Sequence, residues 1–287
     1  VGELIGDSPA PAGPAADPRV RFPPLPQLAR LVLIALLLGL AIVGWAVTDR
    51  RMAGMDAGPG TDPGVLGFYL ATWVVMMAAM MFPSIAPMVL TYERIQRGKR
   101  ERGLPVTVGA TCVFVAGYLV TWTATGLGFY AVLAAARAVD LGVISWDQTG
   151  RYLAGGVIVA AGLYQIAPLK QTCLTKCRDP FLFLLTSWRS GRTGALRMGI
   201  EHGFWCVGCC WALMAALFAL GVMSVGWMAF IAALIAIEKL LPWKSLANRG
   251  IAILLLVLGI SVALVPDNVP GLTIPTPTDD HAVMVDM

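Results

Sequence analysis

The stretch LARLVLIALLLGLAIVGWAVT, residues 28–48, holds Arg30 as its one charged residue. As a helix it would rise roughly 30 Å, the thickness of a bilayer's hydrocarbon layer. Working outward, six further apolar blocks follow: Val65–Leu90, Val106–Ala136, Tyr152–Ala167, Gly199–Leu220, Met223–Leu241 and Gly250–Val265. The third is long enough to tilt or to break at Gly126 and Gly128, and the fourth is short. The whole chain is 57% hydrophobic and 13% charged, with a mean hydropathy of +0.74. One soluble core cannot hide that much apolar surface. Barrel strands would be short and alternating, so the expectation is all-α: a polytopic transmembrane helix bundle of about seven spans covering residues 28–265.

Basic residues set the orientation. Arg19, Arg21 and Arg30 open the chain, Arg94, Arg97, Lys99, Arg100 and Arg102 follow the second block, and Lys170, Lys176, Arg178, Arg189, Arg192 and Arg197 separate the fourth from the fifth. Lys239, Lys244 and Arg249 separate the sixth from the seventh. With seven spans these segments share one side, which puts the N-terminus in the cytoplasm and the C-terminus outside. The net charge of +4 is thus a topology signal: the expected partner is the lipid bilayer, with no nucleic acid. Residues 1–27 and 266–287, rich in Pro, read as disordered tails, and residues 168–198 as a cytoplasmic or interfacial loop.

The chain has six cysteines, all on the cytoplasmic side or within the membrane in this topology, where thiols stay reduced. In the fifth block, His202, Cys206, Cys209 and Cys210 fall at about 0°, 40°, −20° and 80° on a helical wheel, one face that could offer imidazole and thiolate to a single ion. Against this, cysteine is also a small hydrophobe that membrane helices tolerate. In the second block, Met76 with Met80 and Met77 with Met81 form two adjoining thioether ridges before Pro83 and Pro87, and thioethers suit Cu(I). Packing is their other reading. Cys173 and Cys177 at i, i+4 could hold Cu(I) linearly or supply half of a zinc site. Glu238 and Lys239 read as a headgroup pair, with a supporting or proton role beside a metal as the alternative. Met52-x-x-Met55-Asp56 and His281 carry little weight.

The stretches Met76–Met81 through Pro83 and Pro87, Gly162–Gln165 with Pro168–Lys170, Cys173-x-x-x-Cys177-Arg178-x-Pro180, and His202-Gly203 through Cys206 to Gly208-Cys209-Cys210-Trp211 resemble an uncharacterised bacterial family of predicted metal-binding integral membrane proteins, some labelled copper chaperones. The likeness runs in order from about Trp73 to Pro242. It implies a multi-pass protein of the bacterial inner membrane in which Cys173, Cys177, His202, Cys206, Cys209 and Cys210 bind metal.

The residues therefore favour a non-enzymatic copper carrier, with Cu(I) as the expected metal and zinc possible, handing its ion to a transporter or a copper enzyme. A non-catalytic subunit of a larger membrane complex is the second reading and a thiol oxidoreductase the third. No G-x-x-x-x-G-K-S/T loop is present, which argues against a self-contained ATP-driven pump.

Overall fold

A computed structural model describes residues 26–53, 64–138, 149–222, 224–241 and 243–272. The expected Met55, Asp56 and His281, most of the N-terminal tail and residues 273–287 lie outside them. The described residues are helical, with no strand: α1 (Gln27–Met52), α2 (Leu66–Glu101), α3 (Ala110–Ala138), α4 (Arg151–Tyr164), α5 (Pro168–Arg178), α6 (Pro180–Ser187), α7 (Gly191–Leu220), α8 (Val225–Leu240) and α9 (Lys244–Leu264).

Each of the seven apolar blocks contains a helix, but their lengths differ. α1, α2, α3, α7 and α9 are long and apolar enough to cross a membrane. α4 and α5 form a pair bent by 66° that could count as a sixth crossing. α4 and α8, with 14 and 16 residues, rise only about 21 and 24 Å.

Several boundaries depart from the sequence expectation. α3 runs unbroken through Gly126 and Gly128, and α2 continues through Pro83 and Pro87 to Glu101. That extension has packing to sustain it: Met88, Tyr92 and Ile95 join Phe114 of α3, Phe183 and Leu184 of α6, and Ala195 and Met198 of α7 in a second buried cluster. The same cluster lets α7 begin at Gly191 and holds α6, while Cys173 and Leu174 of α5 join the main core, so that residues 168–198 are largely helical. The region after Pro266 starts with a 3-10 turn over Pro266–Asn268. Val269 is buried there, and Trp227 Nε1 donates to the Gly271 carbonyl at 2.9 Å.

Helix pairing follows from small residues at crossing points. α3 lies against α7, where a Cβ on Gly199 would stand 2.0 Å from the Phe114 carbonyl oxygen. α4 lies against α9 through Gly155 and Gly259, each of which a Cβ would drive into the other's backbone. α1 packs on α2, while α5 and α8 both pack on α7. α2 and α7 are not a close backbone pair, although Trp73 and Phe218 stack between them at 5.9 Å.

Candidate metal centre

The centre is built on the middle of α7. Cys206, Cys209 and Cys210 are all fully buried. The i, i+3 spacing turns Cys209 back under Cys206, and its thiol donates to the Cys206 carbonyl at 3.1 Å. Its sulfur stands 3.3 Å from that of Cys210.

The helix α5 completes the group. Pro168 at its first position starts it, because a ring-fixed φ and a missing N–H suit a helix N-terminus. The 66° bend lays α5 across α7, where Cys177 Sγ comes 3.7 Å from Cys209 Sγ. The sulfurs of Cys177, Cys206 and Cys209 all lie within 4.8 Å of one another. Two thiolates bound to one ion at about 2.3 Å can be at most about 4.6 Å apart. The three sulfurs therefore already stand near the spacing a shared ion demands. A second convergence joins Cys209, Cys210 and a Glu238 oxygen.

Three of the six expected Cys/His ligands thus share one set, and Cys210 adjoins it. Cys173 is buried but packs its sulfur on Gly208, where a Cβ would sit 2.7 Å from it. His202 stands apart from both converging sets. Its ring lies among Phe114, Tyr118 and Phe183 at centroid distances of 6.0, 5.8 and 5.3 Å, and its Nδ1 has no hydrogen-bond partner. Met76, Met77, Met80 and Met81 are buried in the same continuous core as the cysteines. Ser84, one turn beyond Met80 and Met81, donates to the Met81 carbonyl at 2.8 Å.

The polar surroundings are what the sequence did not foretell. Glu238 and Lys239 do not pair with each other at a headgroup boundary. Lys170 Nζ donates to Glu238 Oε2 at 2.7 Å, with both side chains fully buried. Lys239 Nζ turns to α7 and donates to Cys206 Sγ at 3.0 Å, with Ser84 Oγ at 3.5 Å. The Tyr118 hydroxyl lies 3.1 Å from the same sulfur. Tyr164, ending α4, donates to the Gly208 carbonyl at 2.7 Å, and the Arg178 guanidinium closes on the Leu241 carbonyl. The signal for these residues was present as charge inside apolar segments, but the partners lie 68 and 33 residues away.

The centre therefore sits where α4 and α8 end. Tyr164 and Glu238–Lys239 belong to the last turns of those helices, whereas α2, α3 and α7 continue past this level into the second cluster. Of the four clustered thiols, Cys177 is the one not fully buried.

A family model described as "PpoB2: Copper chaperone" matches residues 70–262. That span takes in every cysteine and methionine of the centre. No curated protein and no solved structure matches the chain.

Proposed function

The chain belongs to the PpoB2 copper chaperone family, and from that premise we propose that it is a multi-pass membrane protein that takes Cu(I) into the Cys177/Cys206/Cys209 centre and passes it on by ligand exchange. The observation that carries the reading is the convergence of three thiols from α5 and α7, two of them fully buried. Thiolates are soft donors that suit Cu(I), and neighbouring donors allow the ion to change partners without being released.

The route follows from burial and depth. Cys177, on α5, receives or surrenders the ion at the half-buried edge, Cys206 and Cys209 hold it, and Cys210 is the adjoining stop. Met80 and Met81, beside Ser84, offer weaker thioether sites on the α2 side. Seven helices, α1, α2, α3, α4, α7, α8 and α9, cross or enter the bilayer, with the N-terminus cytoplasmic and the C-terminus outside. In this arrangement Arg30, Glu93, Arg94 and Arg197 mark the inner boundary, and Asp49 and Arg50 the outer one. Cys206 and Cys209 then stand about 14 and 18 Å along α7 from the Arg197 level, near the midplane of a layer about 30 Å thick. The protein is a carrier and not an enzyme; its clients are a transporter or a copper enzyme under assembly.

The test is metal content of detergent-purified protein after anaerobic loading with Cu(I), beside a variant with Cys206, Cys209 and Cys210 changed to serine. The reading predicts stoichiometric copper in the parent and its loss in the variant. Equal copper in both, or none in the parent, would reject it and leave a structural membrane subunit as the better account.

A further inference from the structure

A buried ammonium is costly unless an opposing charge stands beside it. Lys170 satisfies this with Glu238 at 2.7 Å, so that pair is internally neutral. Among the described residues, no carboxylate lies within ion-pair distance of Lys239. Its ammonium is aimed instead at Cys206 Sγ, 3.0 Å away, inside the thiol cluster. Ser84 and Tyr118 also face this pocket, and both are neutral. A Glu238 oxygen comes within 4.8 Å of the Cys209 and Cys210 sulfurs, but its carboxylate is already matched by Lys170.

We propose that Lys239 is the metal-selectivity determinant of this centre, a built-in positive charge that favours a monovalent ion over a divalent one. The inference rests on the copper reading above and goes beyond it, since thiolates alone accept Zn(II) readily. Two thiolates with one monovalent ion carry a single net negative charge, which the ammonium cancels. A divalent ion on the same two thiolates leaves the pocket with a net positive charge. It regains neutrality by deprotonating a further thiol of the cluster, an added cost that the monovalent ion does not meet. On any fixed set of thiolates the ammonium repels the second charge on the metal. In a buried setting, two charges about 4 Å apart interact strongly enough to shift a binding ratio by on the order of tenfold or more.

The experiment is anaerobic competition of equimolar Cu(I) and Zn(II) for the full chain in detergent, with both metals counted by mass spectrometry. The parent, Lys239→Leu and Lys239→Arg are compared. Leucine keeps an apolar side chain, removes the charge and brings no metal donor; arginine keeps the charge. The expected result is a zinc-to-copper ratio at least about tenfold higher in Lys239→Leu than in the parent, with Lys239→Arg staying close to the parent. An unchanged ratio in Lys239→Leu overturns the inference, and so does parallel loss of both metals, which would make Lys239 a structural prop. A ratio that rises equally in Lys239→Arg also overturns it, because shape and not charge would then be the cause. Copper bound by the parent in any of these cases leaves the copper reading standing. Absence of copper from the parent removes both.

Discussion

At the scale of single residues, the buried Lys170–Glu238 pair is the most exposed to disruption. Removing one partner leaves the other charged in an apolar interior, which costs about 3–5 kcal/mol, whereas replacing both with apolar groups is often nearly neutral. Glu238→Gln should therefore lower stability by roughly that amount, and the double replacement Lys170→Met with Glu238→Leu should recover most of it. Denaturant unfolding in detergent reads both, and a harmless Glu238→Gln would show that the pair does not hold α5 to α8. This contact was not legible beforehand. Lys170 was visible as a cationic loop residue within a motif, and Glu238 as the neighbour of Lys239 with a supporting role beside a metal as its second reading, but nothing joined the two. The wheel of α7, by contrast, was legible: helical geometry alone put Cys206, Cys209 and Cys210 on one face. It also put His202 there, but side chains one turn apart can meet different neighbours, and aromatic rings of α3 and α6 enclose this one.

At the scale of elements, α5 is the lid of the centre and α3–α7 the frame beneath it. Because Cys177 is only partly covered and Cys206, Cys209 and Cys210 are fully buried, a Cys112→Ala background treated briefly with a maleimide should label Cys177 first. Bound Cu(I) should suppress that labelling. Peptide mapping decides it, and rapid modification of Cys209 in the folded protein would contradict the packing of α5 on α7. The frame makes a second prediction. Gly199→Ala would place a methyl group 2.0 Å from a backbone oxygen of α3 and should cost about 1–3 kcal/mol or more. Gly128→Ala, which meets nothing within 4 Å, should be neutral or slightly stabilising because alanine is the better helix former. Thermal unfolding of the two side by side checks this, and equal midpoints would refute a tight α3–α7 crossing. The sequence drew the helices but cut α2 and α7 too short, because hydropathy ends where charge begins. The buried cluster around Tyr92, Phe114 and Phe183 carries both helices further.

At the scale of the whole molecule, the proposed seven crossings require the two ends of the bundle to face different compartments. Reporter fusions should place the N-terminus in the cytoplasm and the C-terminus outside. Both ends on the same side would remove one crossing, and α8 is the first candidate, since it belongs neither to the five long apolar helices nor to the bent α4–α5 pair. Were α8 to turn back without crossing, Lys239 would still reach Cys206.

The sequence by itself determined the helical class of this protein: long apolar blocks and a cysteine face on one helix are local properties, legible from composition and helical spacing. Its motifs sufficed to point to a metal-binding family. Only the tertiary structure decided which thiols converge, because Cys177 reaches Cys209 through the bend between α4 and α5. It also decided the electrostatics, since Lys239 with Cys206 and Lys170 with Glu238 are pairs between different helices. No periodicity in the chain encodes such pairs; they arise when small residues let helices approach and buried charges find the partners that make their burial tolerable.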